Sequence, residues 1–102
     1  DIAYSTLTKT ELDMCGAKSG DTDGIVEYLL NIDGVQVSAL LIERDGGKVK
    51  ISLRSKKYNV NNVASSFGGG GHILAAGATS DLPMEETLDK LISRIKEEET
   101  NG

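Results

Sequence analysis

The 102 residues include one cysteine, one histidine and no tryptophan, and each scarcity excludes a class of function. A lone Cys15 cannot close an intrachain disulfide. With no second Cys or His nearby to suggest a metal site, it reads as a small core residue. No apolar run approaches ~18 residues and no basic-then-apolar leader precedes one, so neither a transmembrane helix nor a signal peptide is expected and a cytoplasmic location is the default. His72 with scattered acids supplies no recognisable metal-ligand spacing, and no nucleophile and base stand together. The chain opens at Asp1 without a methionine, as an excised domain or a processed product would.

At 38% hydrophobic, the chain can bury one modest core, which points to a single globular domain over residues 1–102. The formal charge of −5 is unevenly spread. Between Arg44 and Lys57 stand six bases (Arg44, Lys48, Lys50, Arg54, Lys56, Lys57) against Asp45, a balance of +5, which leaves −10 for the remaining residues. A basic segment on an acidic domain steers an anionic ligand to one face and discourages indiscriminate nucleic-acid binding. A strand edge protected by lysines would give the same pattern.

Periodicity places the elements. Ile2 to Leu7 alternates as a strand, and Thr8-Lys-Thr-Glu11 has the form of a capping box for a short helix ending near Gly16. Lys18 to Thr22 reads as a loop. Asp23 is placed to cap a second helix, with Ile25, Leu29 and Ile32, flanked by Val26 and Leu30, forming one broad apolar stripe and an end near Asp33-Gly34. Asp21-Thr-Asp-Gly24 lacks the full ligand spacing of a calcium loop. Val35 to Glu43 is apolar on both faces in its second half, as a central strand is, and Asp45-Gly46-Gly47 supplies a hairpin turn. Lys48 to Ser55 sends Val49, Ile51 and Leu53 inward and Lys50, Ser52 and Arg54 outward. Asn59 suits the cap of a two-turn helix carrying Val60, Val63, Ala64 and Phe67. One helical turn is expected over His72 to Ala76, a last strand over Gly77 to Asp81, and a final helix from Pro83 that buries Met84, Leu88, Leu91, Ile92 and Ile95, with a frayed tail from Glu97. The order is β-α-α-β-β-α-β-α: an α/β class with a mixed sheet.

Gly68 to Gly71 interrupt this pattern. Four ordered glycines cost ~2–4 kcal/mol relative to alanine, a large part of a domain stability of ~5–15 kcal/mol. A flexible linker would be polar on both sides, whereas Val63, Ala64 and Phe67 precede this run and Ile73 to Ala76 follow it. It therefore reads as an ordered, ligand-facing loop whose N–H groups suit an anion. His72-Ile73 follows the glycines where a Walker loop requires Lys-Ser/Thr, and the third glycine of the dinucleotide fingerprint is missing at Ile73 and at Leu74. What remains is a phosphoryl site: the amides of Gly69, Gly70 and Gly71, the imidazole of His72, and the guanidinium of Arg54 at the end of a basic strand. A structural histidine and a surface arginine are the alternatives for the two side chains. The residues favour an anion-binding module over an enzyme.

Ile51-Ser-Leu-Arg-Ser55, Val60 to Phe67, Gly68-Gly-Gly-Gly-His72 and Ala75-Ala-Gly77 resemble the C-terminal DHH-associated domain of the DHH phosphoesterases, and the resemblance runs from about Ala3 through the last helix. It implies a substrate-binding domain whose Arg54 and Gly69 to His72 hold a substrate phosphate or terminal nucleotide. It also implies an N-terminal domain, named for its Asp-His-His motif, that binds two metal ions, commonly manganese. No Asp-His-His motif occurs in these residues, so the chain corresponds to one part of such an enzyme and needs no cofactor of its own. The compact spacing is most similar to the oligoribonuclease and 3′-phosphoadenosine-5′-phosphate phosphatase type, whose ligands are short RNA or DNA oligonucleotides and nucleoside bisphosphates. Cyclic-dinucleotide phosphodiesterases and RecJ-type exonucleases share much of the motif. A related domain in alanyl-tRNA synthetase-like proteins makes non-catalytic RNA binding the alternative, and a homodimerising or packing role is a third.

Overall fold

The structure, a computed structural model, describes residues 2–8 and 19–101. Its strands are β1 (Ile2–Leu7), β2 (Val37–Glu43), β3 (Val49–Ser55), β4 (Gly70–His72) and β5 (Ala75–Ser80); its α-helices are α1 (Ser19–Leu30), α2 (Val60–Ser65) and α3 (Met84–Asn101). The five strands form one sheet in the order β1-β2-β3-β5-β4, with β1 parallel to β2 and every other pair antiparallel. The mixed α/β class holds, and the expected elements that fall on described residues keep their order, with β4 as an added strand. The helix expected to follow Thr8, with Cys15, falls outside the described residues.

β2 and β3 show how composition builds the sheet. Both neighbours of β2 are strands, and residues 37–42 are all buried. Its Val37, Ala39 and Leu41 join Val49, Ile51 and Leu53 of β3 under α2 and α3, while Leu40 and Ile42 pack on the other face against Val26 of α1. Fully burying each such side chain stabilises by ~1.5–3 kcal/mol. The buried Ser38 hydroxyl is satisfied by donating to the Val26 carbonyl at 2.8 Å, which also fixes α1 on the sheet. Between the two strands, Gly46 and Gly47 take φ of +79° and +78°, the left-handed values the turn requires.

On the opposite face, Asn59 Oδ1 accepts from the Asn62 amide at 3.1 Å, capping α2 as expected, and Val60, Val63 and Ala64 are buried. Leu91 and Ile95 of α3 complete this layer, with Met84 and Leu88 partly buried against it. A closed hydroxyl ring ties β5 to the start of α3. Thr87 Oγ1 donates to the Leu82 carbonyl at 3.0 Å, so its 2.8 Å contact with Ser80 Oγ has Ser80 as donor, and Ser80 Oγ in turn accepts from the Leu82 amide at 3.1 Å.

Several boundaries move. α1 begins at Ser19 inside the expected loop and stops at Leu30, and Gly34 at φ +84° turns the chain beyond it; among the described side chains of α1 Val26 is fully buried, while Ile32 is outside the helix and 43% exposed. α3 continues through the expected frayed tail to Asn101, and Glu98 there accepts from Asn62 Nδ2 at 3.1 Å. The helical turn expected over His72 to Ala76 is absent. His72 ends β4, Ile73 and Leu74 make the turn, and β5 already runs from Ala75. Antiparallel pairing of Gly70 with Gly77, Gly71 with Ala76 and His72 with Ala75 outweighs the local helical reading.

Candidate phosphate site

The glycine segment begins as the end of α2. Gly68, at φ +82°, takes the left-handed position that terminates the helix, its amide donates to the Ser65 carbonyl at 3.0 Å, and the Gly69 amide reaches back to Ala64 at 2.9 Å. The chain then enters β4 so close to β5 that side chains do not fit. A Cβ built on Gly69 would stand 2.2 Å from the Gly77 carbonyl oxygen, and one on Gly71 would stand 2.7 Å from that of Ala75. Gly71 N–H donates to Asn61 Oδ1 at 3.0 Å. Two of the amides expected to cradle an anion, those of Gly69 and Gly71, are thus engaged within the protein. Close backbone approach is the physical reason for glycine at both positions.

What the segment does is aim His72. In the sheet register Ser38 pairs with Arg54, Arg54 with Ala75, and Ala75 with His72, so the four form one row across β2, β3, β5 and β4. Directly paired residues share a face. Arg54 and His72 therefore stand on the same face with only the methyl group of Ala75 between them, two strand spacings or ~10 Å apart at Cα. The neighbouring row is equally bare: Ser52 pairs with Gly77, and Gly77 with Gly70. The core side chains Leu53, Ala76 and Ala78 project to the other face. This leaves a floor of small residues beside α1, with a guanidinium on one side and an exposed imidazole on the other.

Arg54 is fixed from two directions. Its Nε donates to Glu27 Oε1 of α1 at 2.9 Å, and an Nη donates to the Leu53 carbonyl at 2.9 Å. Sequence reasoning did not find Glu27, because an exposed glutamate on a surface helix carries no local signal for a partner on a distant strand. The β4–β5 turn is held in the same region: the amides of Ser55 and Val60 donate to the carbonyls of Leu74 and Ile73 at 3.0 and 2.8 Å. The structure brings Arg54 and His72 to one face, with Gly70 in the floor and Gly69 and Gly71 as the close-packed supports of β4.

Such an arrangement can grip an anion between a bidentate donor and a second cationic or neutral donor. Among the described residues, no group of three or more His, Cys, Asp and Glu side chains is arranged to hold a metal ion. Also among the described residues, no helix is long and apolar enough to cross a membrane.

The DHHA1 domain pattern matches residues 3–101. The bifunctional oligoribonuclease and PAP phosphatase NrnA of Thermus thermophilus is 37% identical over 84 residues, 80% of this chain and 26% of that protein. The Bacillus subtilis protein of the same name is 32% identical over 73 residues, 72% of this chain and 23% of its own length. A crystal structure of an exopolyphosphatase-related protein from Bacteroides fragilis superposes with a TM-score of 0.82 at 34% identity, covering 93% of this chain and 28% of that one. The chain thus spans about a quarter of the length of the curated relatives it matches. From residue 3 to residue 101 it belongs to the DHHA1 domain family, the DHH-associated domain of DHH phosphoesterases.

Proposed function

We propose that this domain binds substrate for a metal-dependent phosphoesterase, holding one phosphate of a short oligonucleotide or nucleoside bisphosphate between Arg54 and His72. The observation that carries the reading is the shared row: two anion-binding side chains on one sheet face, separated by a single alanine and bordered by Ser52, Gly77 and Gly70. The small floor lets a phosphate and its ribose approach the backbone, and Glu27 holds the guanidinium toward the site. The names of the relatives, oligoribonuclease and PAP phosphatase, support this ligand class. In this reading the hydrolytic chemistry belongs to an N-terminal DHH domain of the same protein, with its own manganese ions, that closes over the open face.

Two charge-assisted contacts of ~1.5–3 kcal/mol each give the domain alone an affinity around millimolar or slightly tighter. NMR titration with adenosine 3′,5′-bisphosphate is expected to shift Arg54 and residues 69–72, and Arg54→Ala is expected to weaken binding about tenfold or more. A response confined to other surfaces overturns the site. Affinity that climbs continuously with RNA length and ignores terminal phosphates favours a diffuse RNA-binding module instead.

A further inference from the structure

The two edges of the sheet differ in chemistry. The β4 edge is three residues long and carries His72, whereas β1 at the other edge is six residues long and has no charged residue, proline or glycine. Every second residue of an edge strand turns its N–H and C=O away from the sheet, and such edges are ordinarily blunted by charge, proline or a bulge. β1 pairs with β2 without interruption from Ile2 to Leu7 and has none of these devices. Among the described residues, no strand pairs with its outer side.

A groove runs beneath this edge. Ile2 and Tyr4 pair with Val37 and Ala39 and share their face, which is the face that α3 covers. A cavity of about 280 Å³ opens there between β1 and α3, lined by Ile2, Tyr4, Ile92, Lys96 and Glu99. Tyr4 is 47% exposed and Ile2 and Ile92 are half-buried, so the apolar part of the groove is incompletely covered. Among the described residues, Lys96 and Glu99 form no ion pair. A base and an acid three residues apart on one helical wall are complementary to the same two residues running in the opposite direction.

We infer that β1 is a dimerisation edge, to which a second copy of this chain adds its own β1 antiparallel, about a two-fold axis normal to the sheet at Tyr4. In that register Tyr4 stands opposite the second copy's Tyr4 and Ile2 opposite its Thr6, which covers the apolar floor of both grooves. Lys96 of each copy then faces Glu99 of the other, as an isologous interface requires. At the usual strand spacing of ~4.8 Å the two sheets become one. Arg54 and His72 stand toward the far end of each sheet, so a dimer leaves both rows accessible whatever ligand they take.

Sedimentation velocity from ~10 μM to ~1 mM tests this on the chain and on its Tyr4→Lys, Lys96→Glu, Glu99→Lys and Lys96→Glu/Glu99→Lys variants, with circular dichroism to check that each is folded. The parent is expected to pass from monomer to dimer as concentration rises, with slower amide exchange along β1. Tyr4→Lys sets like charges opposite each other at the centre and is expected to stay monomeric. Each single charge reversal is expected to raise the dimer dissociation constant about tenfold or more, and the double reversal to return it to within about threefold of the parent. Because these reversals lie on the helix surface, they carry the test even if Tyr4→Lys does not fold. A parent that stays monomeric throughout, as it would if β1 instead received a strand from another protein, overturns the inference. So does a dimer indifferent to Tyr4→Lys, or a double reversal no better than the single ones.

Discussion

Arg54 Nε donates a 2.9 Å hydrogen bond to Glu27 Oε1, so the guanidinium proposed to meet a phosphate already faces a carboxylate from α1. The two side chains are 21% and 56% exposed, which limits their ion pair to the range of surface salt bridges. A phosphate arriving at Arg54 must share that guanidinium with a negative charge.

Glu27→Gln keeps an oxygen acceptor for Arg54 and removes the charge. Stability in urea is expected to change by less than ~1 kcal/mol, while affinity for adenosine 3′,5′-bisphosphate rises about two- to fivefold as the repulsion is lost. Isothermal titration at low salt, where the effect is largest, checks this. Weaker binding by the variant would mean that the glutamate's orienting role exceeds its repulsion.

The glycines separate by their surroundings. Ala at Gly69 or Gly71 drives a Cβ into the β5 backbone, so each substitution is expected to destabilise by several kcal/mol or to detach β4. At Gly68 no atom lies within 4 Å of the added Cβ, and the left-handed φ of +82° alone sets a cost of ~1–2 kcal/mol. Gly70→Ala meets only Asn61 Oδ1 at 3.3 Å and should be the mildest of the four. Urea melts of the single variants test the order. A Gly70 variant as damaging as the Gly69 variant would contradict the close-approach account.

These glycines also show how far the residues alone reveal the fold and the site. Alternation made β3 readable because its two faces meet such different surroundings: Val49, Ile51 and Leu53 are buried, while Lys50 is exposed. The Asn59 cap was readable because its hydrogen bond closes within three residues. The Gly70–His72 strand was not, since three residues without apolar alternation carry no strand signal and their conformation is imposed by β5. For the same reason the run looked like an amide cradle, when Gly69 and Gly71 are needed for contact with the neighbouring backbone. The pairing of Arg54 with His72 came from motif chemistry, but their common face depends on the β3-β5-β4 order, which no local pattern specifies.

Asn61 provides a test of whether β4 positions His72. Its Oδ1 accepts from Gly71 N–H at 3.0 Å and fastens the middle of a three-residue strand to α2. Asn61→Ala removes that acceptor and leaves the Arg54 and His72 side chains intact. A loss of ~0.5–1.5 kcal/mol is expected, with faster amide exchange at Gly71 and His72 and a several-fold drop in bisphosphate affinity as the imidazole loses its fixed place. Asn61→Asp retains an oxygen at the same reach and is expected to restore the exchange protection. If the alanine variant exchanges faster yet binds as well as the parent, then β4 order does not serve the site and His72 acts without it. If neither exchange nor affinity changes, Asn61 does not hold the strand at all.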